Sequence, residues 1–205
     1  MLFSAYFRSL SAAKKVALLA VFIALSIVVN CFSIDVSASN KIAFTYVVCF
    51  FAGFLLGGVP AFCIALLGDA IGYLVNPVGV YWLFGLTLGV YAFLMGVVMN
   101  FQVRADENKA APYVRTAVAL VLGYVLITML LNSLVNYWYV MLFVWNGAAK
   151  KTFLVYLGGR LAFQSIVYAV NAAICVAIVP VLVQIDRRMR RRKHAKHTDA
   201  VSSGQ

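Results

Sequence analysis

The sequence has few charged residues and very few acidic ones. Of its 205 residues only 11% are charged, six of them are Asp or Glu, and 64% are hydrophobic. An average soluble domain carries about twice that charged share. A chain of this composition has too few polar residues to cover its apolar ones in water. The composition therefore excludes an ordinary soluble domain and indicates a protein of the lipid bilayer.

Residues suited to catalysis, metal binding or nucleotide binding are also scarce. Both His residues, His194 and His197, lie in the C-terminal tail, and the four Cys residues have no CxxC spacing. The sequence contains no GxSxG, HExxH or GxxxxGK[ST] motif, which would supply a nucleophile, a zinc site or a phosphate-binding loop. We therefore expect no catalysis, no metal site and no cofactor. Any energy for transport has to come from a partner or an ion gradient.

What the sequence does contain is six apolar runs. Several reach the ~20 residues that a spanning helix needs, and none shows the ~10-residue alternation of a membrane barrel. Because backbone groups in hydrocarbon must be hydrogen-bonded internally, helices remain. We predict an all-α integral membrane protein with six transmembrane helices. The runs are residues 16–34, 42–57, 59–75, 82–101, 113–145 and 152–185.

The runs differ in length and in how they are joined. The third is short, and the tight turn Gly57-Gly58-Val59-Pro60 predicts that it forms a hairpin with the second. Pro112 suits the first turn of the fifth helix. We predict an uncleaved first helix, because its apolar stretch is long for a signal peptide. Residues 1–186 form one predicted membrane domain, followed by a basic tail at 187–205.

The distribution of Lys and Arg predicts the orientation. With the N-terminus inside, thirteen of the seventeen fall in cytoplasmic segments, the others being Lys41, Lys150, Lys151 and Arg160. This positive-inside bias predicts that both termini are cytoplasmic. The net charge of +11 arises largely from the tail. We expect the tail to determine topology and to attract anionic lipid rather than nucleic acid.

Three runs carry polar residues at helical spacing, which predicts one outward-facing cavity where they meet. Ionisable groups at membrane depth are costly and mark candidate sites, although hydrogen bonds between helices are the simpler explanation for any single Asn or Tyr. Asp69 is either a counter-charge for Arg160 or Lys41, or a ligand contact. The stripes are Asp69, Tyr73 and Asn76; Thr128, Asn132, Asn136 and Tyr139; and Arg160, Gln164, Tyr168 and Asn171.

Several segments together resemble one transporter family. They follow in the order found in S components, the substrate-binding subunits of energy-coupling-factor (ECF) vitamin transporters. The segment 151–160, preceded by Leu131-Asn132-Ser133, resembles the folate-type branch, although Gly158-Gly159 stand where that branch often has Pro. The other segments are Lys41-Ile-Ala-Phe-Thr-Tyr, Gly68-Asp69-Ala-Ile-Gly-Tyr73, Asn76-Pro-Val-Gly79 and Phe84-Gly-Leu-Thr87.

The resemblance implies a vitamin pocket open to the outside and a complex with a membrane scaffold subunit and two ATPases. It also implies a scaffold contact through Ala20 and Ala24, whose small side chains permit close helix packing. For folate we expect cations to bind the glutamate tail, aromatics to stack on the pterin ring, and amides to read its edge. The predicted substrate-binding residues are Lys41, Asp69, Tyr73, Asn76, Trp82, Asn132, Asn136, Trp145, Lys151, Arg160 and Gln164.

The resulting hypothesis is a non-catalytic subunit in a prokaryotic plasma membrane that captures a vitamin, folate first, for ATP-driven uptake. Within the family, the alternatives are another heterocycle such as a queuosine or thiamine precursor. Outside it, they are a structural protein of a cell-shape complex and a solitary secondary transporter. A structural protein would show no saturable ligand binding, which a transporter subunit would show. A solitary secondary transporter would take up its substrate in cells without an ECF scaffold.

Overall fold

A computed structural model describes residues 2–37, 40–77, 79–101 and 110–202, and the side chains of all of these except residues 35, 37, 40, 41 and 186–202. The regular secondary structure of the described part is helical apart from one short hairpin between the first long helix and the helix that follows it. In it, strand β1 pairs antiparallel with β2, with Ile34 opposite Ile42. The elements are α1 (Ala5–Ser9), α2 (Ala12–Cys31), β1 (Ile34–Ser37), β2 (Asn40–Ile42), α3 (Thr45–Leu56), α4 (Gly58–Val75), α5 (Phe84–Met99), α6 (Ala111–Val144) and α7 (Phe153–Ser202).

Four of these helices are long and apolar enough to cross a bilayer. They are α2, α4, α6 and the first part of α7, to residue 185. Helices α3 and α5 are apolar but have only 12 and 16 residues. At 1.5 Å per residue, α3 extends about 18 Å, whereas the hydrocarbon layer is about 30 Å thick. The multi-span helical architecture agrees with the prediction, and the count of six spans stays a prediction.

The short helix of the pair at the tight turn is the second one along the chain, not the third. The predicted third helix, α4, has 18 residues, whereas α3 has 12. The reason is at both ends of α3. β2 extends to Ile42, so the helix begins only at Thr45, and Gly57, with a φ of 99°, ends it. L-residues with side chains rarely adopt this φ, so glycine permits the hairpin that the sequence predicted.

The N-terminal segment closes this hairpin. The Ser4 amide donates to the Leu56 carbonyl at 2.9 Å, and the Val59 amide donates to the Leu2 carbonyl at 3.0 Å. The Ser4 hydroxyl donates to the Leu55 carbonyl at 2.5 Å. The two Ser4 bonds satisfy carbonyl groups at the end of α3, and the Val59 bond satisfies an amide in the first turn of α4, where the helices themselves offer no partner. Residues ahead of the first long helix thus belong to the packed structure.

The longest helices are irregular where the sequence has more residues than a span requires. α6 includes two π-helical segments, Gly123–Leu131 and Val140–Val144, and begins with Pro112 in its first turn, as predicted. Such segments shift the direction of the side chains that follow them. α7 continues from Phe153 to Ser202 and has Pro180 in its interior. Its backbone continues through the boundary between membrane domain and tail, so that division stays a prediction.

Candidate functional site

A cavity of about 350 Å³ opens between the six helices α2 to α7. This volume is in the range of pockets that enclose small organic ligands. Aromatic side chains supply much of its wall: Tyr46, Tyr73, Tyr81, Trp82, Phe84 and Tyr139. Polar side chains from all six helices line it as well, beside several aliphatic residues: Asn30, Ser33, Thr45, Asp69, Asn76, Thr87, Asn132, Asn136, Arg160 and Gln164.

The three predicted stripes meet at this cavity: the α4 stripe lines it completely, and the α6 and α7 stripes line it in part. On α7, Arg160 and Gln164 line the cavity, whereas the Tyr168 hydroxyl donates to the Leu120 carbonyl of α6 at 2.8 Å. Asn171 donates to the Ala43 carbonyl at 3.0 Å. The stripe therefore has two roles. One end faces the cavity, and the other forms hydrogen bonds between chain segments.

Eight of the eleven predicted substrate-binding residues line the cavity. Trp145 does not, since its ring packs edge-on against Tyr137 and Tyr156, with centroids 6.1 and 6.4 Å away. Lys151 is exposed outside the lining, and its backbone carbonyl accepts a hydrogen bond from Tyr137. The side chain of Lys41 lies outside the described residues. The eight are Asp69, Tyr73, Asn76, Trp82, Asn132, Asn136, Arg160 and Gln164.

Arg160 is the buried cation of the cavity, with 5% of its surface exposed. Its Nη1 donates to the Tyr156 hydroxyl at 3.4 Å, and that hydroxyl donates to the Asn136 side-chain oxygen. Its Nε is buried and has no hydrogen-bond partner in the described part of the chain. A buried charged donor without an acceptor is unfavourable, so this arrangement suits a ligand that brings an acceptor.

The indole of Trp82 presents a second unused donor. Its Nε1 is buried without a hydrogen-bond partner among the described residues, and the ring packs edge-on against Phe143 of α6 at 5.4 Å. Buried Trp N–H groups usually have an acceptor. Both unused donors belong to residues that line the same cavity. The site as built is rich in donors and suits a ligand with carboxylate or carbonyl oxygens.

Asp69, on α4, also lines the cavity. Its Oδ1 accepts a hydrogen bond from Asn30 of α2 at 3.3 Å. Its Oδ2 lies beside Gly85 of α5, where an added Cβ would be 2.8 Å from Oδ2 and 2.9 Å from the Tyr81 hydroxyl. Burial raises the pKa of Tyr81, and the negative charge of Asp69 raises it further. The Tyr81 hydroxyl therefore stays protonated at neutral pH and can donate beside the carboxylate.

Several residues at this site were not among the predicted substrate-binding ones, and Asn30, Ser33 and Tyr156 are polar examples. Asn30 and Ser33 lie near the end of the first apolar run, where no stripe had been found. Tyr156 lies one helical turn before Arg160, at the same spacing of four that links Arg160 to Gln164. Extending that spacing backwards by one turn would have included Tyr156.

The predicted scaffold contact lies on a different face. Ala20 and Ala24 are exposed on α2, which is the least buried of the four long helices. Neither residue lines the cavity. The exposed side chains of Val21 and Leu25 are their neighbours on this helix. A small-residue surface of this kind permits another helix to approach closely.

Comparisons with known proteins agree with the membrane fold. A solved structure described as FolT bound with folic acid matches with a TM-score of 0.65 and 22% identity, over 83% of this chain and 97% of that one, which shows a shared fold. An uncharacterised Mycoplasma pneumoniae protein (strain ATCC 29342 / M129 / Subtype 1), the MG313 homolog, is 28% identical over 113 residues. That match covers 55% of this chain and 40% of the Mycoplasma protein.

The family itself is shown by a longer match. The model for the family described as "ECF-type riboflavin transporter, S component" matches residues 10–183, which include five of the six predicted spans completely and nearly all of the sixth. This match confirms the family predicted from the sequence. The solved structure that shares the fold is the one described as FolT bound with folic acid. This chain belongs to the ECF-type riboflavin transporter S component family and is a multi-pass membrane protein.

Proposed function

We propose that this chain captures folate from outside a prokaryotic cell and delivers it to an ECF scaffold subunit with two ATPases. The observation that carries the proposal is the buried guanidinium of Arg160, whose Nε has no partner within the described residues, in the wall of a cavity lined by aromatics and amides. Folate has a planar ring for the aromatics, polar edges for the amides, and carboxylates for a guanidinium.

Riboflavin is the second candidate, because the matching family model is the one described for riboflavin transporters. Riboflavin also has a planar ring with polar edges, but it carries no carboxylate. Of the three cations predicted to hold a folate tail, Arg160 alone has a described side chain in the cavity lining. The two ligands therefore differ in what they offer Arg160, and a test on that residue separates them.

The test is equilibrium binding to the purified protein in detergent, followed by Trp fluorescence, with folic acid, riboflavin, thiamine and a queuosine precursor. We expect saturable folic acid binding that Arg160→Gln weakens by ~30-fold or more, since truncating one partner of a buried charge pair costs roughly 2–5 kcal/mol. The exposed Lys150 provides the matched control, Lys150→Gln, which should bind like the parent.

The other possible results of this binding test would each change a different part of the proposal. Tight riboflavin binding with no folic acid binding replaces the substrate and keeps the transporter assignment. Binding of folic acid that is unchanged in Arg160→Gln removes the proposed role of Arg160. A folded protein that binds no member of the panel contradicts both candidate substrates and returns weight to the structural, cell-shape alternative for this chain.

The variant Lys151→Gln tests a predicted binding residue that lies outside the cavity lining. Its side chain is exposed and outside the cavity lining. We expect Lys151→Gln to weaken folic acid by no more than about threefold, because a solvent-exposed ion pair contributes only about 0–1 kcal/mol. An effect as large as that of Arg160→Gln would mean that the ligand draws residues 150–152 towards the cavity.

The scaffold contact is the second part of the proposal. Ala20 and Ala24 are exposed and four residues apart on α2. We expect Ala20→Leu with Ala24→Leu to reduce recovery of the scaffold and ATPases co-expressed with this chain, while ligand binding is retained. Ala173 and Ala177 are exposed at the same spacing on α7, so Ala173→Leu with Ala177→Leu is the matched control. Equal recovery from both double variants would contradict the contact.

The proposed topology has six spans with both termini in the cytoplasm. It is supported by six apolar helices and by the position of thirteen of the seventeen Lys and Arg. Reporter proteins fused at either terminus should be active only inside the cell. An extracellular signal from one terminus alone would require an odd number of spans.

A further inference from the structure

The positive charge of Arg160 has no counter-ion in the described part of the protein. Its side chain is buried, with 5% of its surface exposed. Within the described residues it forms no ion pair, and Nη1 donates to the neutral Tyr156 hydroxyl. A buried charge is strongly unfavourable unless an opposite charge compensates it. The cavity wall therefore contains a cation whose partner has to come from elsewhere.

The chain of hydrogen bonds that starts at Arg160 ends on a neutral amide. A guanidinium can only donate, so the Tyr156 hydroxyl accepts from Nη1 and gives its own proton to the side-chain oxygen of Asn136. Asn136 is buried and lines the same cavity. Its oxygen is thus engaged, and its amide nitrogen, like the Arg160 Nε, is a donor. The groups that this chain leaves for a ligand are donors.

Position 136 is a place where the protein itself could supply the missing negative charge. A carboxylate there would keep the bond from Tyr156, because it accepts hydrogen bonds as an amide oxygen does. It would lie two hydrogen-bond lengths from Nη1, roughly 6 Å at most, where opposite charges attract strongly in a low-dielectric interior. Asn has nearly the shape of Asp and no charge. With Asn at this position, the cation is left for a ligand to neutralise.

We propose that Asn136 is a specificity-determining residue. By staying neutral it leaves Arg160 without an internal counter-ion, so the cavity selects a ligand that carries a carboxylate. This inference rests on the proposed function, because folate has carboxylates on its glutamate tail and riboflavin has none. It also has a consequence that needs no ligand, since an internal carboxylate would stabilise the empty protein.

The first measurement is the unfolding temperature of the ligand-free protein in detergent. We expect Asn136→Asp to raise it by ~3 °C or more, because the new carboxylate compensates a charge that is already buried. In an Arg160→Gln background the same change should lower it, since the carboxylate then lacks a cation. Asn146→Asp is the matched control, because Asn146 is exposed and outside the cavity lining. It should shift the unfolding temperature by less than ~2 °C.

The second measurement compares folic acid with its diamide, in which both tail carboxylates are replaced by neutral amides of similar shape. In the parent we expect the diamide to bind at least ~10-fold more weakly, because it brings no charge for Arg160. Asn136→Asp should weaken folic acid at least ~30-fold and reduce its advantage over the diamide to less than ~threefold, since the new carboxylate takes the place of the ligand's. Asn146→Asp should bind both ligands like the parent.

Two results overturn the inference while folate remains the substrate. One is equal binding of folic acid and the diamide by the parent. The other is an unfolding temperature of Asn136→Asp no higher than that of Asn146→Asp, or a rise that persists in the Arg160→Gln background, because Arg160 would then not lack a counter-ion.

Failure of the proposed substrate gives a different pattern. If the parent binds another vitamin with a carboxylate, such as biotin or pantothenate, and Asn136→Asp weakens it, folate is wrong and the inference stands. Tight binding of the neutral riboflavin instead overturns both. Should Asn136→Asp not fold, Arg160→Gln decides. Without the uncompensated charge, its ligand-free unfolding temperature should be at least that of the parent, and a lower one overturns the inference.

Discussion

Around the turn between α3 and α4, the helices approach each other backbone to backbone. A Cβ added at Gly96 of α5 would lie 2.4 Å from the Gly58 amide nitrogen, and one at Gly53 of α3 would lie 2.7 Å from the Gly96 amide nitrogen. Asn100 then donates to the Gly53 carbonyl at 3.0 Å. We call Gly53, Gly57, Gly58 and Gly96 the glycine contact. No side chain separates the helices there.

The cavity, at the other end of these helices, is built the opposite way. Its walls are held apart by long polar and aromatic side chains such as Arg160, Tyr139 and Trp82. Two donors, Arg160 Nε and Trp82 Nε1, are buried without partners within the described residues. At the glycine contact, by contrast, space for even one more carbon is lacking.

The comparison separates the sources of stability and of binding. Without a hydrophobic driving force between helices in lipid, close packing of small residues is what holds them together. Unsatisfied donors lower stability, and in natural proteins such violations occur mainly at functional sites. We therefore expect changes at the glycine contact to alter folding and changes at the cavity to alter ligand affinity.

The largest effect should come from Gly96→Ala. The added Cβ would lie 2.4–2.5 Å from three backbone atoms of Gly57 and Gly58, which cannot rotate away as a side chain can. Overpacking typically costs 1–3 kcal/mol and occasionally more. For a chain of this size, each kcal/mol lowers the unfolding temperature by roughly 2–4 °C. We expect a loss of ~5–12 °C in detergent, or no folded protein.

Gly158→Ala is the matched control for that change. Nothing lies within 4 Å of a Cβ at Gly158, which is also helical. Alanine is favoured over glycine in helices, so the control should keep or slightly raise the unfolding temperature. Equal stability of the two variants would mean that the close approach of α5 to the turn is absent in the protein.

The next effect is expected for Tyr156→Phe, which removes a hydroxyl between Arg160 and Asn136. Tyr156 positions the guanidinium, so we expect ~10-fold weaker folic acid binding, about 1.4 kcal/mol. Because it acts through Arg160, the loss should vanish in an Arg160→Gln background. Tyr137→Phe is the control, since the Tyr137 hydroxyl donates to the Lys151 carbonyl outside the cavity lining. Additive losses would contradict the positioning role.

Trp82→Phe sharpens the comparison between the cavity and the glycine contact. In this variant we expect the affinity for ligand to fall while the stability of the protein stays the same. The variant keeps an aromatic ring against Phe143 and removes the partnerless indole N–H. We expect roughly fivefold weaker folic acid binding, from one lost hydrogen bond of about 1 kcal/mol, with no fall in the unfolding temperature of the ligand-free protein. Trp138→Phe is the control, since Trp138 is outside the cavity lining. A large loss of stability in Trp82→Phe would assign its ring a purely structural role.

The smallest effect should follow Tyr168→Phe, at the structural end of the α7 stripe. Its hydroxyl donates to the Leu120 carbonyl at 2.8 Å and lies 3.3 Å from the Tyr91 hydroxyl. Losing the bond to Leu120 costs about 1 kcal/mol, or roughly 2–4 °C in the unfolding temperature, and losing the longer contact to Tyr91 adds to it. Ligand affinity should stay within twofold of the parent. The exposed Tyr113 supplies the control, Tyr113→Phe, which should change neither quantity.

The sequence predicted helices better than it predicted which end of a helix reaches the cavity. Spacing by three and four correctly put Arg160, Gln164, Tyr168 and Asn171 on an inward face, and all four are buried. It did not separate the first two, which line the cavity, from the last two, which bond to other segments. That separation depends on where neighbouring helices end, which no single helix encodes.

A different feature explains Trp145, which was predicted to bind and packs instead against Tyr137 and Tyr156. It follows directly after the second π-helical segment of α6. A π turn changes the direction of every later side chain, and apolar periodicity does not reveal where such a turn occurs. Asn132 and Asn136, which follow the first π segment, were nevertheless predicted correctly to face the cavity side.

The sequence alone determined that the protein lies in a lipid bilayer, that it is helical and which family it belongs to. These properties depend on composition, on run length and on residue order. It also determined the hairpin at Gly57, since a positive φ after a helix requires a residue without a side chain. Only the tertiary structure decided that Tyr156 contacts Arg160 and that two donors of the cavity lack partners among the described residues. Those facts depend on distances between helices, which are set by packing at positions far away in the sequence.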